Sequence, residues 1–267
     1  MISEKSRNFV ASGVLAALLL LIFGIQLLSA AADTASARDL LRQAKQADAS
    51  LRNTESLRLA LQAEQADPKN TEILSLIAKQ YSQLAADAHA SGDKKSEQLL
   101  TDCALGYAVR AENANPGNAL AHASLAICYA RSSLLEGARR KIEYSKLVRS
   151  EAERAVALDP NQDVALHVLG AWNYNMVELN PFLKKIVEVI YGRFPEASLP
   201  VSAAYFQRAA KAAPTRLMHQ AALAKTYAAM GDKENARRAL AAAEALLVKE
   251  KEDEGLLKEA CQAVAGM

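Results

Sequence analysis

The chain is short of the residues that build turns and sheets: across 267 residues there are only 11 glycines and 7 prolines. Aromatics make up 5%, and continuous β-branched runs are missing, so hairpins, sandwiches and barrels lack their raw material. An excess of charge of one sign is also absent, because 32 basic residues stand against 30 acidic ones for a net charge of +2. A surface without a basic field does not steer nucleic acid, and nucleic-acid-binding motifs are lacking, so no nucleic-acid partner is expected. The three cysteines, Cys103, Cys128 and Cys261, have neither close spacing nor companion histidines. That indicates neither a zinc site nor a disulfide framework and leaves the cysteines as buried small hydrophobes, with a Cys103–Cys128 pair as the alternative in an oxidising compartment. Phosphate-binding glycine loops, His-Glu-x-x-His, nucleophile elbows and Cys-x-x-Cys are missing too. No enzyme, cofactor or metal site is therefore expected.

What is present is periodic. Ten residues after Pro68, Pro116, Pro160 and Pro214 stand Ala78, Ala126, Gly170 and Ala224, and three further on Tyr81, Tyr129, Asn173 and Tyr227. Five residues before the same prolines stand Ala63, Ala111, Ala155 and Ala209. A small residue at a packing position, an aromatic one turn later and a closing proline are the marks of a tetratricopeptide-like helix-turn-helix repeat. The fold class expected is all-α, a helical-repeat solenoid whose stacked units bury a continuous core and expose a concave surface.

The prolines place units at about 37–70, 71–118, 119–162, 163–215 and 217–248, with a capping helix over 252–265, together a repeat domain over 33–267. Outer units of about 34 residues fit the simple period. The middle proline spacings of 48, 44 and 54 are longer and imply prolonged or extra helices. In the last unit, Gly231-Asp232 reads as the turn between helices, glycine supplying positive φ.

Residues 1–32 carry a second signal. Lys5 and Arg7 precede an uncharged run from Val10 to Leu28, and Ala30-Ala31-Ala32 follow it. The length fits a membrane anchor and the small residues fit a cleaved signal, two readings the sequence leaves open. Both predict a membrane-anchored or exported protein, with the repeats across the membrane from Lys5 and Arg7 in a bacterial-type route. A cytosol-facing organelle surface is the eukaryotic equivalent.

The long fourth unit holds an insertion, residues 180–195, reading NPFLKKIVEVIYGRFP. Asn180 as cap, Pro181 at the first position and Gly192 as stop predict a helix of about three turns. Trp172, Tyr174, Phe182, Ile186 and Ile190, with Tyr205 and Phe206 of the following helix, are the candidates for lining a ligand groove, core packing being the other reading of Trp172 and the inserted helix. Lys184 and Lys185 are the candidates for meeting an anionic head group. His122, His167 and His219 fall early in the first helices of successive units, where stacking aligns them as groove-lining or packing residues.

The stretch EAERAVALDPNQDVALHVLGAWNYNMVEL over 151–179, the insertion after it and the Tyr205-Phe206 helix resemble the regulator of microtubule dynamics family over about residues 118–247. Its marks are His167-Val168-Leu169-Gly170-x-Trp172 and the inserted apolar helix. The resemblance implies a helical-repeat domain without known catalysis, microtubule-associated in animals. In one mitochondrial, membrane-anchored member it implies tethering to the endoplasmic reticulum and phospholipid transfer. The chain departs in having almost no linker after Ala32 and no acidic diphenylalanine tract. The function expected is a non-enzymatic, membrane-linked scaffold holding a protein partner in its concave groove. The alternative is a lipid or other apolar-ligand carrier, which requires an apolar cavity of several hundred Å³.

Overall fold

A computed structural model describes residues 35–247 and 253–267. The described residues form helices joined by short turns, with no strand among them. A first helix, α1, covers 35–49 and is followed by α2 (Asn53–Ala66), α3 (Thr71–Ser91), α4 (Lys94–Ala114), α5 (Ala119–Leu134) and α6 (Ala138–Leu158). Then come α7 (Asp163–Glu178), α8 (Pro181–Tyr191), α9 (Leu199–Ala212), α10 (Leu217–Ala229), α11 (Lys233–Glu244) and α12 (Asp253–Ala265). The long proline spacings have separate causes: α3, α4 and α6 are each prolonged to 21 residues, while α8 is an added helix of 11. The run from Val10 to Leu28 lies outside the described residues. Among the described residues no helix is long and apolar enough to cross a membrane.

The repeated alanines set the helix spacing. Ala63, Ala111, Ala155 and Ala209 are all 0% exposed, as are Ala78, Ala126 and Ala224. A methyl side chain lets helix backbones approach closely, and the core is correspondingly a series of small clusters rather than one large-residue centre.

Each proline closes the same turn. The N–H groups of Asp67, Asn115, Asp159 and Ala213 donate to the carbonyls of Ala63, Ala111, Ala155 and Ala209 at 2.9–3.2 Å. The next helix is then capped by the side chain of Asn70, Asn118 or Gln162, which accepts a backbone N–H of its first turn. At α10 that position is held by Arg216, which makes no such cap.

The turns between paired helices also repeat. Gly92 and Gly231 sit at φ 75° and 76°, and the N–H groups of Asp93 and Asp232 reach back to the carbonyls of Ala88 and Tyr227 at 2.9 and 3.0 Å. Asp93 and Asp232 then cap α4 and α11. Between α1 and α2 the same hydrogen bond runs from Arg52 to Ala47 at 2.9 Å, but Leu51 takes the positive φ, 58°, and Arg52 provides no side-chain cap. A left-handed leucine costs about 1–2 kcal/mol and a missing cap about 1 kcal/mol. Installing the Gly-Asp pair, Leu51→Gly with Arg52→Asp, therefore raises stability by about 1 kcal/mol after loss of the exposed Arg52–Glu55 ion pair, read in thermal unfolding as an increase of roughly 2–4 °C.

Candidate groove and the histidine relay

The helices form two rows. First-row helices touch their successors along the stack, α3 with α5, α5 with α7, α7 with α10 and α10 with α12, while second-row helices α2, α4, α6, α9 and α11 pack behind them. The first row is therefore the inner one. Its curvature is tight enough that Asp48 and Lys79, from α1 and α3, line one cavity of about 300 Å³ with Arg216, Met218 and Asp253 at the other end of the stack. Lys79 donates to Asp48 Oδ2 at 2.9 Å, and the fully buried Gln80 donates its amide N–H to Asp48 Oδ1 at 2.7 Å.

Arg216 cannot cap α10, because a guanidinium has only donors; it donates instead to Asp163 Oδ2 at 2.8 Å across the α7–α10 junction. The same carboxylate oxygen is 2.9 Å from Nε2 of the fully buried His219, whose Nδ1 lies 3.1 Å from Nδ1 of His167. The result is a chain Arg216, Asp163, His219, His167 stitching two first-row helices. Burial opposes ionisation of Asp163, but the hydrogen bond from His219 and the charge and hydrogen bonds of Arg216 outweigh it and bring the carboxyl down to about 2. His167 moves down to about 3 through burial, with His219 and Arg216 adding to the effect. His122 belongs elsewhere: its Nδ1 lies 2.6 Å from Glu151 and its Nε2 2.8 Å from the Pro116 carbonyl. It is a satisfied core residue.

His167 also lines a smaller cavity of about 130 Å³ between α7, α10 and α12, floored by Phe206 and flanked by Tyr174, Asn175 and Lys225. Lys225 donates to Glu259 at 2.8 Å and stands 5.5 Å over the Tyr174 ring. Gly170 makes this arrangement possible. A Cβ there would lie 2.8 Å from two ring carbons of Phe206, so the ring occupies the space that alanine fills in the other units. Phe206 in turn tilts against His167 with centroids 5.0 Å apart.

The candidate residues divide between two places. Trp172 and Tyr174 are about 200° apart around α7 and face opposite ways. Tyr174 and Phe206 line the small inner cavity. Trp172 instead packs with Ile142, Met176 and the fully buried Val187, with Ile186, Ile190 and Tyr191 alongside. Here α8 lies along α6 in the outer row, held by the Ser145–Tyr191 hydroxyl pair at 2.9 Å and by Lys146 donating to the Ile190 carbonyl at 3.3 Å. Arg149 covers the indole at 4.6 Å, and the indole N–H is buried without a hydrogen-bond partner. Phe182 and Val189 are 68% and 83% exposed on α8, Lys184 is half-buried and Lys185 exposed. Tyr205 packs against the cluster of Ala126, Ala155, Ala165 and Leu169 rather than in the inner cavity. The relay was not anticipated from sequence; the signal was Arg216 standing where the other turns carry Asn70, Asn118 and Gln162.

The lipid-carrier alternative is not supported. The three larger cavities have charged residues in their linings: Asp48, Lys79, Arg216 and Asp253 in one of about 300 Å³, Arg38, Arg42 and Lys45 in one of about 410 Å³, and Arg52, Glu55 and Asp87 in one of about 550 Å³.

A double row of helix pairs closed by recurring prolines defines a tetratricopeptide-like helical-repeat protein. A thermophilic repeat protein of this type from Thermus thermophilus superposes with a TM-score of 0.59, covering 86% of this chain and 99% of its own at 19% identity, a likeness of fold. The chain belongs to the regulator of microtubule dynamics protein 1-3 family, whose model matches residues 40–267. It is 26% identical to mouse regulator of microtubule dynamics protein 1 over 235 residues, 88% of this chain and 76% of the relative. The bovine protein of the same name is 27% identical over 201 residues, 75% of this chain and 63% of the relative. The expected membrane-anchored or exported location is corrected on these findings. The relatives are named regulators of microtubule dynamics, and the run that carried the expectation lies outside the described residues.

Replacing Gly170 with alanine forces Phe206 from its seat and lowers stability by about 1–3 kcal/mol, measured by chemical denaturation. For pH, the folded chain holds His167 at about 3 against an ordinary 6.5, so between those values the unfolded chain binds the extra proton. Stability falls as pH drops through that window, by up to about 1.4 kcal/mol per unit, and Asp163 adds a further loss between its ordinary 3.8 and about 2. Denaturation of His167→Gln against pH shows a shallower decline above pH 4, with the Asp163 loss below it retained.

Proposed function

We propose that the chain is a non-catalytic scaffold that holds an extended segment of a protein partner along its inner row of helices. The observation carrying this reading is the inner surface itself: two cavities lie on it, one with a charged lining and one of mixed lining, its apolar part made by Phe206 behind Ala171, Ala221, Ala222 and Leu256. Recesses offering both polar and apolar walls on a rigid concave face suit a peptide, whose backbone and side chains need both. The family's name makes tubulin the first folded partner to test.

A random peptide library displayed and selected on the full chain, followed by hydrogen exchange with a selected peptide, tests the proposal. Protection concentrated on α7, α10 and α12 is the expected outcome. Protection confined to α8 or to second-row helices, or failure to select any peptide, overturns it. Cosedimentation of the full chain with polymerised tubulin then asks whether that partner supplies the segment.

A further inference from the structure

The added helix α8 leaves part of its surface unused by the fold. Val187 is fully buried against α6 and α7, while Phe182 and Val189, on the outward side, are 68% and 83% exposed. They are seven residues apart, about 20° around the helix, and so form one apolar ridge. Ile186 lies about 40° to one side of Phe182 and Ile190 beyond it, both half-buried. On the other side come Lys185 at about 60° and Glu188 at about 120°, both exposed and without an ion-pair partner among the described residues. Lys184 is half-buried on the far side of the helix and takes no part. An apolar seven-residue spacing with a charged flank is the pattern of a helix that pairs with another helix.

The two flanks select the partner. A bilayer would meet Glu188 as well as Lys185, so the exposed edge offers an anionic surface no net attraction. A second α8 fits, and in one orientation. When two copies pair antiparallel about a twofold axis, like flanks face each other: Lys185 of each copy stands opposite Glu188 of the other, and the Ile186 flanks meet. Parallel pairing would set the charged flank against the apolar one. Phe182 and Val189 are equally far from an axis passing between residues 185 and 186, so each packs beside the other residue of the second copy. One patch serves both copies, the condition of an isologous contact.

We propose that α8 is a self-association surface: two copies of the chain pair through antiparallel α8 helices, with Phe182 and Val189 interleaved and Lys185 matched to Glu188 across the twofold axis. The contact is independent of the groove reading above, since α8 lies along α6 in the outer row, and it leaves the inner row of each copy uncovered. One 11-residue helix per copy buries less than the roughly 800 Å² per partner of a stable complex. Association is accordingly weak, with a dissociation constant of about 10 μM to 1 mM.

Sedimentation equilibrium of the full chain at rising concentration gives a monomer–dimer equilibrium in that range. Val189→Glu, at an exposed position that keeps the native circular dichroism, weakens it about 10-fold or more. Charge exchange reads the orientation. Lys185→Glu and Glu188→Lys each weaken self-association about 3- to 10-fold through like-charge contacts, the double variant recovers it, and the two single variants mixed together pair as the native chain does. The uncharged run from Val10 to Leu28 supplies apolar surface of its own, so a readout local to α8 accompanies these measurements. Lys185→Cys, beside the twofold axis, is joined to its mate by a short bismaleimide above the native chain's background, and Arg193→Cys, beyond the end of α8, is not. A chain that stays monomeric to about 1 mM overturns the proposal, as does a dimer indifferent to Val189→Glu and to the charge exchange. Flotation of a monomeric chain with phosphatidylcholine–phosphatidylserine vesicles, abolished by Val189→Glu, also overturns it and reassigns the ridge to a bilayer.

Discussion

The whole architecture depends on how closely helices approach at the repeated alanines. Ala63, Ala111, Ala155 and Ala209, each without exposed surface, sit where a second-row helix turns back toward the next unit. A larger side chain at any of them would push the rows apart. Their carbonyls also receive the hydrogen bond that ends each helix, so packing and chain reversal are secured at one residue. Because no single contact in such a core is large, the stack is held by repetition: the same distance kept in unit after unit brings distant first-row helices to a common inner surface.

Where the pattern is broken, chemistry accumulates. At the small position of the fourth unit alanine gives way to Gly170, and the vacated Cβ volume admits the face of Phe206. At the capping position before α10, Arg216 replaces a polar cap and holds Asp163 instead. The two departures lie on the same junction, and together they position His167 between an aromatic ring and a buried histidine. A local sacrifice of helix stability thus coincides with an assembled set of polar groups, the association expected where function and regularity compete.

The recurring turns and the alternation of helix pairs were legible because they are local: proline, alanine and capping residues act within about one helical turn. The added helix was legible for the same reason, from Asn180, Pro181 and Gly192. Its location was not, since nothing within residues 180–195 says whether they lie in the inner or the outer row. Sequence alone therefore joins Trp172, Ile186 and Ile190 to Tyr174 and Phe206, although the roughly 200° between Trp172 and Tyr174 separates them around one helix. His167 and His219 could be put on successive first-row helices, but their contact spans 52 residues and depends on the spacing between units. Location in the cell was read from residues 1–32, which the repeat architecture does not inform.

The cavity shared by Asp48 and Lys79 with Arg216 and Asp253 changes the mechanical character of the molecule. A linear stack transmits strain only from each unit to the next, so a disturbance fades along its length. Here the two ends lie against a common void, and the array resembles a spring whose last coil faces its first. Widening it at one junction alters the gap at the other, and an occupant of the void bears on both ends at once. Pitch and occupancy thereby become a single variable for this fold.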